Sequence, residues 1–275
     1  MCVAWHLVLQ IEMNNNRFVT NVLSGHWGHS GLEDGDTVLI HSSMKRTLKY
    51  LISLRSKPDP RVIIDSLLEQ IGDTGTLLLP LFNFEFPDTK YFSINDTPSQ
   101  MGVLTEFARK NYSGVRTGHP IYSFYVIGAK AQEFSGIDNK SGYGIDSPFG
   151  RLRQSGGKIG IIDLDDQHSM TSYHHVEEML NVDYRYFKDF SGEYIDSSSK
   201  SSERTYTLFV RDMNRGVITD VNRMGEILWN EGLYKGFREG IGNGLRTIDA
   251  QVLFDRVSIE ILEGRSLETL YSITE

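Results

Sequence analysis

Two short apolar runs separated by one helical stripe limit this chain to very few folds. Thr37-Val38-Leu39-Ile40 follows the turn Glu33-Asp34-Gly35-Asp36, and an apolar, β-branched run bounded by turn residues reads as a buried strand. Pro60 to Ile71 carries Val62, Ile63, Ile64, Leu67, Leu68 and Ile71. That is the stripe of an amphipathic helix with proline near its start. Gly72-Asp73-Thr74-Gly75 stops it, and Thr76 to Phe82 reads as a second buried strand. Strand, helix, strand in this order predicts an α/β sheet.

The rest of the chain extends the pattern. Ile121–Ile127 reads as a third strand, and Gly156 to Leu164 reads as a glycine turn feeding a short buried strand. Short helices are expected at 101–110, 151–154 and 176–180, with longer ones at 221–229 and 248–262 joined by the glycine-rich stretch 232–244. Asn83 to Pro98 has no period and reads as a long loop. In the second half, Tyr184–Phe190, Glu193–Ile195 and Thr205–Val210 read as antiparallel strands around a polar hairpin tip at 196–203. Residues 1–31 are ambiguous. Asn14-Asn15-Asn16 and Ser24 to Gly31 look like loop, which leaves His26 and His29 on no common face. We therefore divide the chain into an N-terminal extension, 1–32, and one domain, 33–275.

Composition bounds the function. The chain has 275 residues, and its net charge of -8 argues against a nucleic-acid or anionic-membrane surface. Its single cysteine, Cys2, can form neither an internal disulfide nor a thiolate metal cage. The sequence has no apolar run of membrane-spanning length. Met1 to Gln10 lacks the basic start of a signal peptide, so the cytoplasm is the expected location.

The chemistry concentrates in Gln167-His168-Ser169-Met170-Thr171-Ser172-Tyr173-His174-His175-Val176-Glu177-Glu178. Three histidines and several carboxylates sit where a strand ends and a helix begins, a favoured place for sites in open α/β sheets. His174 and Glu177 are one helical turn apart, so the carboxylate can orient the imidazole as a general base. The same spacing would serve a metal pair, with His168 joining from the loop, and a satisfied structural histidine is the third alternative. His41-Ser42-Ser43-Met44-Lys45-Arg46, directly after the first strand, suits either a phosphate- or amide-bearing ligand or an ordinary helix cap by Ser42 or Ser43. Gly240-Ile241-Gly242-Asn243-Gly244 lacks the spacing of a nucleotide loop, and Gly-x-Ser-x-Gly is absent.

Six segments, taken in order, resemble the aminoglycoside 3-N-acetyltransferase family. They are Gly35 to Met44, Gly75 to Pro80, Met101 to Arg109, Arg116 to Ser123, Ser147-Pro148 with Gly156-Gly157, and Thr171 to Glu177. The resemblance implies a single α/β domain with a central mixed sheet flanked by helices. It implies acetyl transfer from acetyl-CoA to an amine of an amino sugar or aminoglycoside, as in antibiotic resistance, with no metal, and it leaves a homodimer open. The family's Thr-x-x-His-x-x-Glu pattern falls on Thr171, His174 and Glu177, so His174 takes the base role. His41, Ser42, Ser43, Lys45, Arg116, His119, Ser123, Ser147 and Thr171 are expected around CoA, with Arg46 a further candidate for its phosphates. Asp163, Asp165, His168 and Glu178, with Asp166 beside them, are expected to hold the cationic acceptor. The chain departs from the family where Asp163 to His168 replaces a glycine-rich turn, and Tyr184 to Tyr194 is closer to relatives of amino-sugar and surface-polysaccharide pathways. A non-antibiotic acceptor, or a non-catalytic relative that binds CoA or a sugar, is the alternative.

Overall fold

The computed structural model describes the backbone of residues 2–274 and the side chains of residues 16–274. Cys2 and the run Met1–Gln10 therefore lie outside the described side chains. In chain order the first half comprises α1 (Cys2–His29), β1 (Thr37–Ser42), α2 (Lys45–Ser53), α3 (Pro60–Ile71), β2 (Thr76–Pro80), α4 (Phe86–Thr89), β3 (Tyr91–Ser93), α5 (Val103–Asn111), β4 (Val115–Arg116) and β5 (Phe124–Gly128). The second half comprises α6 (Pro148–Gln154), β6 (Lys158–Ile162), α7 (Ser172–Met179), β7 (Arg185–Ile195), β8 (Ser201–Arg211), β9 (Val217–Thr219), α8 (Asn222–Asn230), β10 (Lys235–Gly236), β11 (Leu245–Asp249), α9 (Ala250–Leu262) and β12 (Tyr271–Ile273).

Seven strands form the main sheet in the order β10-β11-β6-β1-β2-β5-β4. β6, β1 and β2 run parallel, while β11 and β5 flank them antiparallel. The sheet is therefore mixed, as the resemblance implied. Side chains alternate across it. Val38, Ile40, Leu77 and Leu79 face a cluster with α1, α3 and α5, whereas Leu39, Leu78, Ile159 and Ile161 face one with α6, α7 and α9. A second sheet, β3-β7-β8, packs into the latter cluster through Phe92, Tyr194 and Phe209.

Four expectations are corrected. Residues expected as N-terminal loop form α1, because Val19, Leu23 and Trp27 recur every fourth residue and all are buried. Gly28 allows α3 to approach, since a Cβ there would lie 3.0 Å from Gln70 Nε2, and Trp27 Nε1 donates to Ser66 Oγ at 2.8 Å. His26 and His29 accordingly sit on one helix. Asn83–Pro98 contains α4 and β3, and the Arg116 guanidinium holds the end of that segment by donating to the carbonyls of Ile94 and Thr97. β7 runs unbroken through Gly192, where β3 approaches so closely that a Cβ would meet Lys90 O at 2.6 Å. The glycine-rich stretch after α8 hides β11, an edge of the parallel core that reads as polar because Arg246 interrupts it.

Arg246 marks a buried polar hub. Its side chain is 1% exposed and pairs with Asp166 at 2.8 Å, and Asp166 also accepts from Tyr173 Oη at 2.5 Å and Tyr234 Oη at 2.7 Å. Asp166 is thus part of the scaffold under α7, not a substrate carboxylate.

Buried histidines set the acid limit of this fold. Burial pushes the imidazoles of His41, His119 and His175 down to about 4, about 3 and about 4 respectively. Each titrates near 6.5 when unfolded, so unfolding in acid takes up protons. The stability that neutral histidines leave intact above pH ~6.5 is lost as pH falls from there through their folded values. Thermal unfolding midpoints are expected to fall steadily between about pH 6.5 and 4; midpoints flat across that window would show that these rings are not buried as neutral groups.

Candidate active site

β1 and β6 are adjacent and parallel, with Ser42 opposite Ile162. Their carboxyl ends therefore open on one edge, and Ser43 N donates to Ile162 O at 2.8 Å to hold the two outgoing loops together. Each strand leads into a helix, α2 or α7, and neither helix has a side-chain cap. The contrast within the molecule is informative: α3 is capped by Asp59 and α6 by Ser147. The capping alternative for Ser42 and Ser43 therefore fails, because Met44 occupies the N-cap position of α2. Both serines remain partly exposed. No side chain therefore satisfies the first backbone N–H groups of α2, whereas in α7 the amides of Tyr173 and His174 donate to Met170 O and Thr171 O.

His174 lies in the first turn of α7 and retains 18% side-chain exposure, while Glu177 is 1% exposed. His174 Nδ1 lies 2.7 Å from Glu177 Oε2. A carboxylate accepts hydrogen bonds and cannot donate them, so this contact places the ring proton on Nδ1 and leaves the Nε2 lone pair free. Arg185 Nε stands 2.8 Å from the same Oε2, with its side chain 5% exposed. Burial, which alone would raise the Glu177 carboxyl, is outweighed by Arg185 and by the His174 contact, and the group is held below its usual range. Burial first, and the Arg185 charge second, lower the His174 imidazole below 6.5 against the pull of Glu177. The ring is therefore neutral at physiological pH, the form a general base requires.

A chain of ring contacts links the His174 imidazole to the end of β1. His41 and Phe82 are 6.1 Å apart between centroids, Phe82 and Tyr122 4.7 Å, Tyr122 and Tyr143 4.8 Å, and Tyr143 and His174 5.2 Å. The sequence reading placed His41 and His174 at one site without seeing what joins them. Arg185 and Tyr143 were missed altogether. Arg185 carried a signal, being a lone charge in the otherwise aromatic run Tyr184-Arg185-Tyr186-Phe187.

The other candidates divide by exposure. Ser42, Ser43 and Thr171 are partly exposed at the strand ends, and Lys45 is exposed on the first turn of α2. Arg116, His119, Ser123 and Ser147 are instead buried and braced internally. Arg116 Nε donates to Ser123 Oγ, Ser123 Oγ donates to Leu81 O, and His119 Nδ1 accepts from the amides of Ile121 and Tyr122.

Asp163 is also engaged. It adopts φ 52°, and its carboxylate accepts from Arg46 Nε at 2.9 and 3.0 Å and from Gly240 N at 3.0 Å. Arg46 in turn donates to Gly242 O. This pair ties together the loops after β1, after β6 and before β11, so neither charge is free for phosphate or amine. Asp165 is committed to His168 and Asn222, with His168 71% exposed. Glu178 accepts from Ser141 Oγ at 2.6 Å, and burial, followed by the Asp146 charge, raises its carboxyl. Among the described residues no group of three or more His, Cys, Asp or Glu is placed to hold a metal ion. Nor, among them, is any helix long and apolar enough to cross a membrane.

A mixed sheet whose parallel strands β1 and β6 lead into α2 and into α7, the helix that carries the His174–Glu177 pair, defines an α/β protein. The sequence profile of the aminoglycoside 3-N-acetyltransferase family matches residues 39–257, and the chain belongs to that family. It is 27% identical over 181 residues to aminoglycoside N(3)-acetyltransferase VII of Streptomyces paromomycinus, a match spanning 58% of this chain and 60% of that relative. Among solved structures, AAC-IIIb in a binary complex with CoASH superposes with a TM-score of 0.74 at 20% identity, over 89% of this chain and 96% of that one. Sisomicin-bound AAC-VIa gives 0.72 at 22% identity, over 90% and 97%. YokD from Bacillus subtilis gives 0.72 at 19%, over 89% and 99%. These likenesses show the shared fold.

Proposed function

We propose that the protein transfers an acetyl group from acetyl-CoA to an amine of an aminoglycoside or related amino sugar, with His174 as general base. The observation that carries this reading is the His174–Glu177 contact of 2.7 Å, which leaves Nε2 of a neutral imidazole free in the first turn of α7. Family membership and the CoASH and sisomicin complexes of its structural neighbours support donor and acceptor class.

The amine attacks the thioester carbonyl as Nε2 takes its proton. A new C–N bond forms, the C–S bond breaks, and the thiolate leaves; the imidazolium then returns a proton to sulfur. No acyl-enzyme is required. Glu177 keeps the ring in register and stabilises its transient positive charge. The Ser42, Ser43 or Thr171 hydroxyls, or the first backbone N–H groups of α2, donate to the developing oxyanion; one such donor contributes about 3 kcal/mol. The α2 N-terminus with Lys45 faces the CoA phosphates. Glu178, on the same helix as His174, is buried and bonded to Ser141 Oγ, so its carboxyl is engaged within the fold.

A thiol-release assay with acetyl-CoA and a panel of aminoglycosides and simpler amino sugars tests the reading. Acceptor-dependent release of CoA is expected. A protein that only binds CoA or sugar would release none.

A further inference from the structure

Tyr143 engages both of the consecutive histidines of α7. Its ring meets the His174 imidazole edge-to-face, with centroids 5.2 Å apart and planes at 62°. Its carbonyl lies 2.6 Å from His175 Nδ1. Neighbouring residues on a helix point about 100° apart, so one tyrosine reaches both only by using its ring for one and its backbone for the other. We propose that Tyr143, held through its carbonyl by His175, is a positioning residue that fixes the rotation of the His174 ring for proton removal; this rests on the general-base reading above.

Glu177 leaves a freedom for Tyr143 to remove. Its contact at Nδ1 fixes the proton and one ring atom, whereas the outer torsion of a histidine has a broad minimum. An aromatic ring packed edge-to-face against the imidazole narrows that torsion. Tyr143 is itself buried and built in. Gly142 lets its loop lie on β8, where a Cβ would meet Leu208 Cδ2 at 2.6 Å, and Gly142 N donates to Thr207 O at 3.0 Å. Ser141 Oγ donates to Glu178, so His174, His175 and Glu178 all grip the loop 141–143.

His175 suits the holding role. A carbonyl only accepts, so the His175 proton is on Nδ1. Burial, with the Arg153 charge adding to it against the pull of the Tyr143 carbonyl, brings the imidazole down to about 4. The ring therefore keeps this proton, and its bond to Tyr143, at the pH values where His174 works. Its Nε2 has no hydrogen-bond partner among the described residues, nor have Ser172 Oγ and Arg153 Nε, and all three residues line a cavity of about 10 Å³. An acceptor facing a hydroxyl and a guanidinium N–H across room for one water fits the same tautomer.

Tyr143→Leu, Tyr143→Phe, His175→Ala and His175→Asn test the assignment in the whole protein. Thiol release gives kcat and KM for acetyl-CoA, and NMR gives the titration of the His174 ring. Tyr143→Leu is expected to lower kcat roughly tenfold or more with KM for acetyl-CoA unchanged, the cost of a misplaced base. Tyr143→Phe, which keeps the ring, should recover most of that loss. His175→Ala should lower kcat in the same way, and His175→Asn, whose amide nitrogen can stand in for Nδ1, should restore it. Because His175 acts through Tyr143, the double variant with Ala and Leu should lose no more than Tyr143→Leu alone.

The charged groups that face the His174 ring are Glu177 on its own helix, Arg185 on β7 and Arg211 on β8. No variant alters them, and burial is the first cause of the lowered imidazole. The His174 titration should therefore move up toward 6.5 in Tyr143→Leu and stay in place in Tyr143→Phe. Equal losses in the Phe and Leu variants would put the effect in the hydroxyl and overturn the proposal. So would losses that multiply in the double variant, or a His174 titration that does not move in Tyr143→Leu. If Tyr143→Leu does not fold, the His175 variants decide, and wild-type kcat in both would overturn it. If the wild-type protein releases no thiol from acetyl-CoA, the general-base reading fails first. The titration then still decides whether Tyr143 holds the ring: a shift in the Leu variant alone supports the contact, and no shift removes it too.

Discussion

His174→Ala is expected to lower turnover by a factor on the order of 100 or more, the scale of a lost general base. KM for acetyl-CoA should stay near the wild-type value, because the proposed donor contacts lie on α2 and the loop after β1. The ring is only 18% exposed and meets Glu177, so its removal leaves a partly buried gap and takes one partner from that carboxylate, and a modest fall in the unfolding midpoint is expected as well. Loss of activity in protein still folded at the assay temperature would locate the effect in the chemistry. The pH dependence follows from the same geometry. Burial and Arg185 hold the imidazole below 6.5, so protonation of His174 should limit the wild-type rate only on the acid side of that value, and any rise above it should follow loss of the acceptor's ammonium proton. Wild-type turnover in the alanine variant would remove His174 from the mechanism.

Glu177→Gln should act on both rate and stability. The amide keeps the shape but loses the charge that fixes the Nδ1 proton and offsets the imidazolium. It also leaves the Arg185 guanidinium, 5% exposed, beside a neutral partner. Breaking a buried pair from one side costs about 3–5 kcal/mol, so denaturant unfolding should show a large loss together with a turnover drop of at least about tenfold. The sign with pH is fixed by the lowered Glu177 carboxyl. Its stabilisation is present above the usual carboxylate range and is lost as pH falls through the folded value. The wild-type advantage over Glu177→Gln should therefore shrink in acid. An equally large gap at all pH values would assign the loss to packing. Replacing Arg185 as well should recover part of the stability but none of the activity.

The parallel core was readable because Val38 to Ile40, Leu77 to Leu79 and the stripe of α3 are apolar without interruption. The His174–Glu177 pair was readable because a helical turn brings residues three apart together. Other features depend on partners remote in sequence. Arg246 makes β11 look polar until Asp166 is seen beneath it, eighty residues away. Asp163 looked like a substrate carboxylate because Arg46, which neutralises it, comes from α2, more than a hundred residues earlier. Arg116, Ser123 and His119 matched family positions, yet all three are buried, and the hydrogen bonds they make run to one another and to backbone within the fold. α1 was hidden by glycines and asparagines that disfavour a helix locally, an effect overridden by burial of Val19, Leu23 and Trp27.

The most direct test is mass spectrometry of an aminoglycoside panel incubated with acetyl-CoA and either the wild-type protein or His174→Ala. The account predicts a singly acetylated product with an amide at a ring amine, formed in step with released CoA. It also predicts that this product nearly vanishes in the variant, and that neither protein itself becomes acetylated on turnover. An acetylated protein intermediate, or equal product from both proteins, would contradict it.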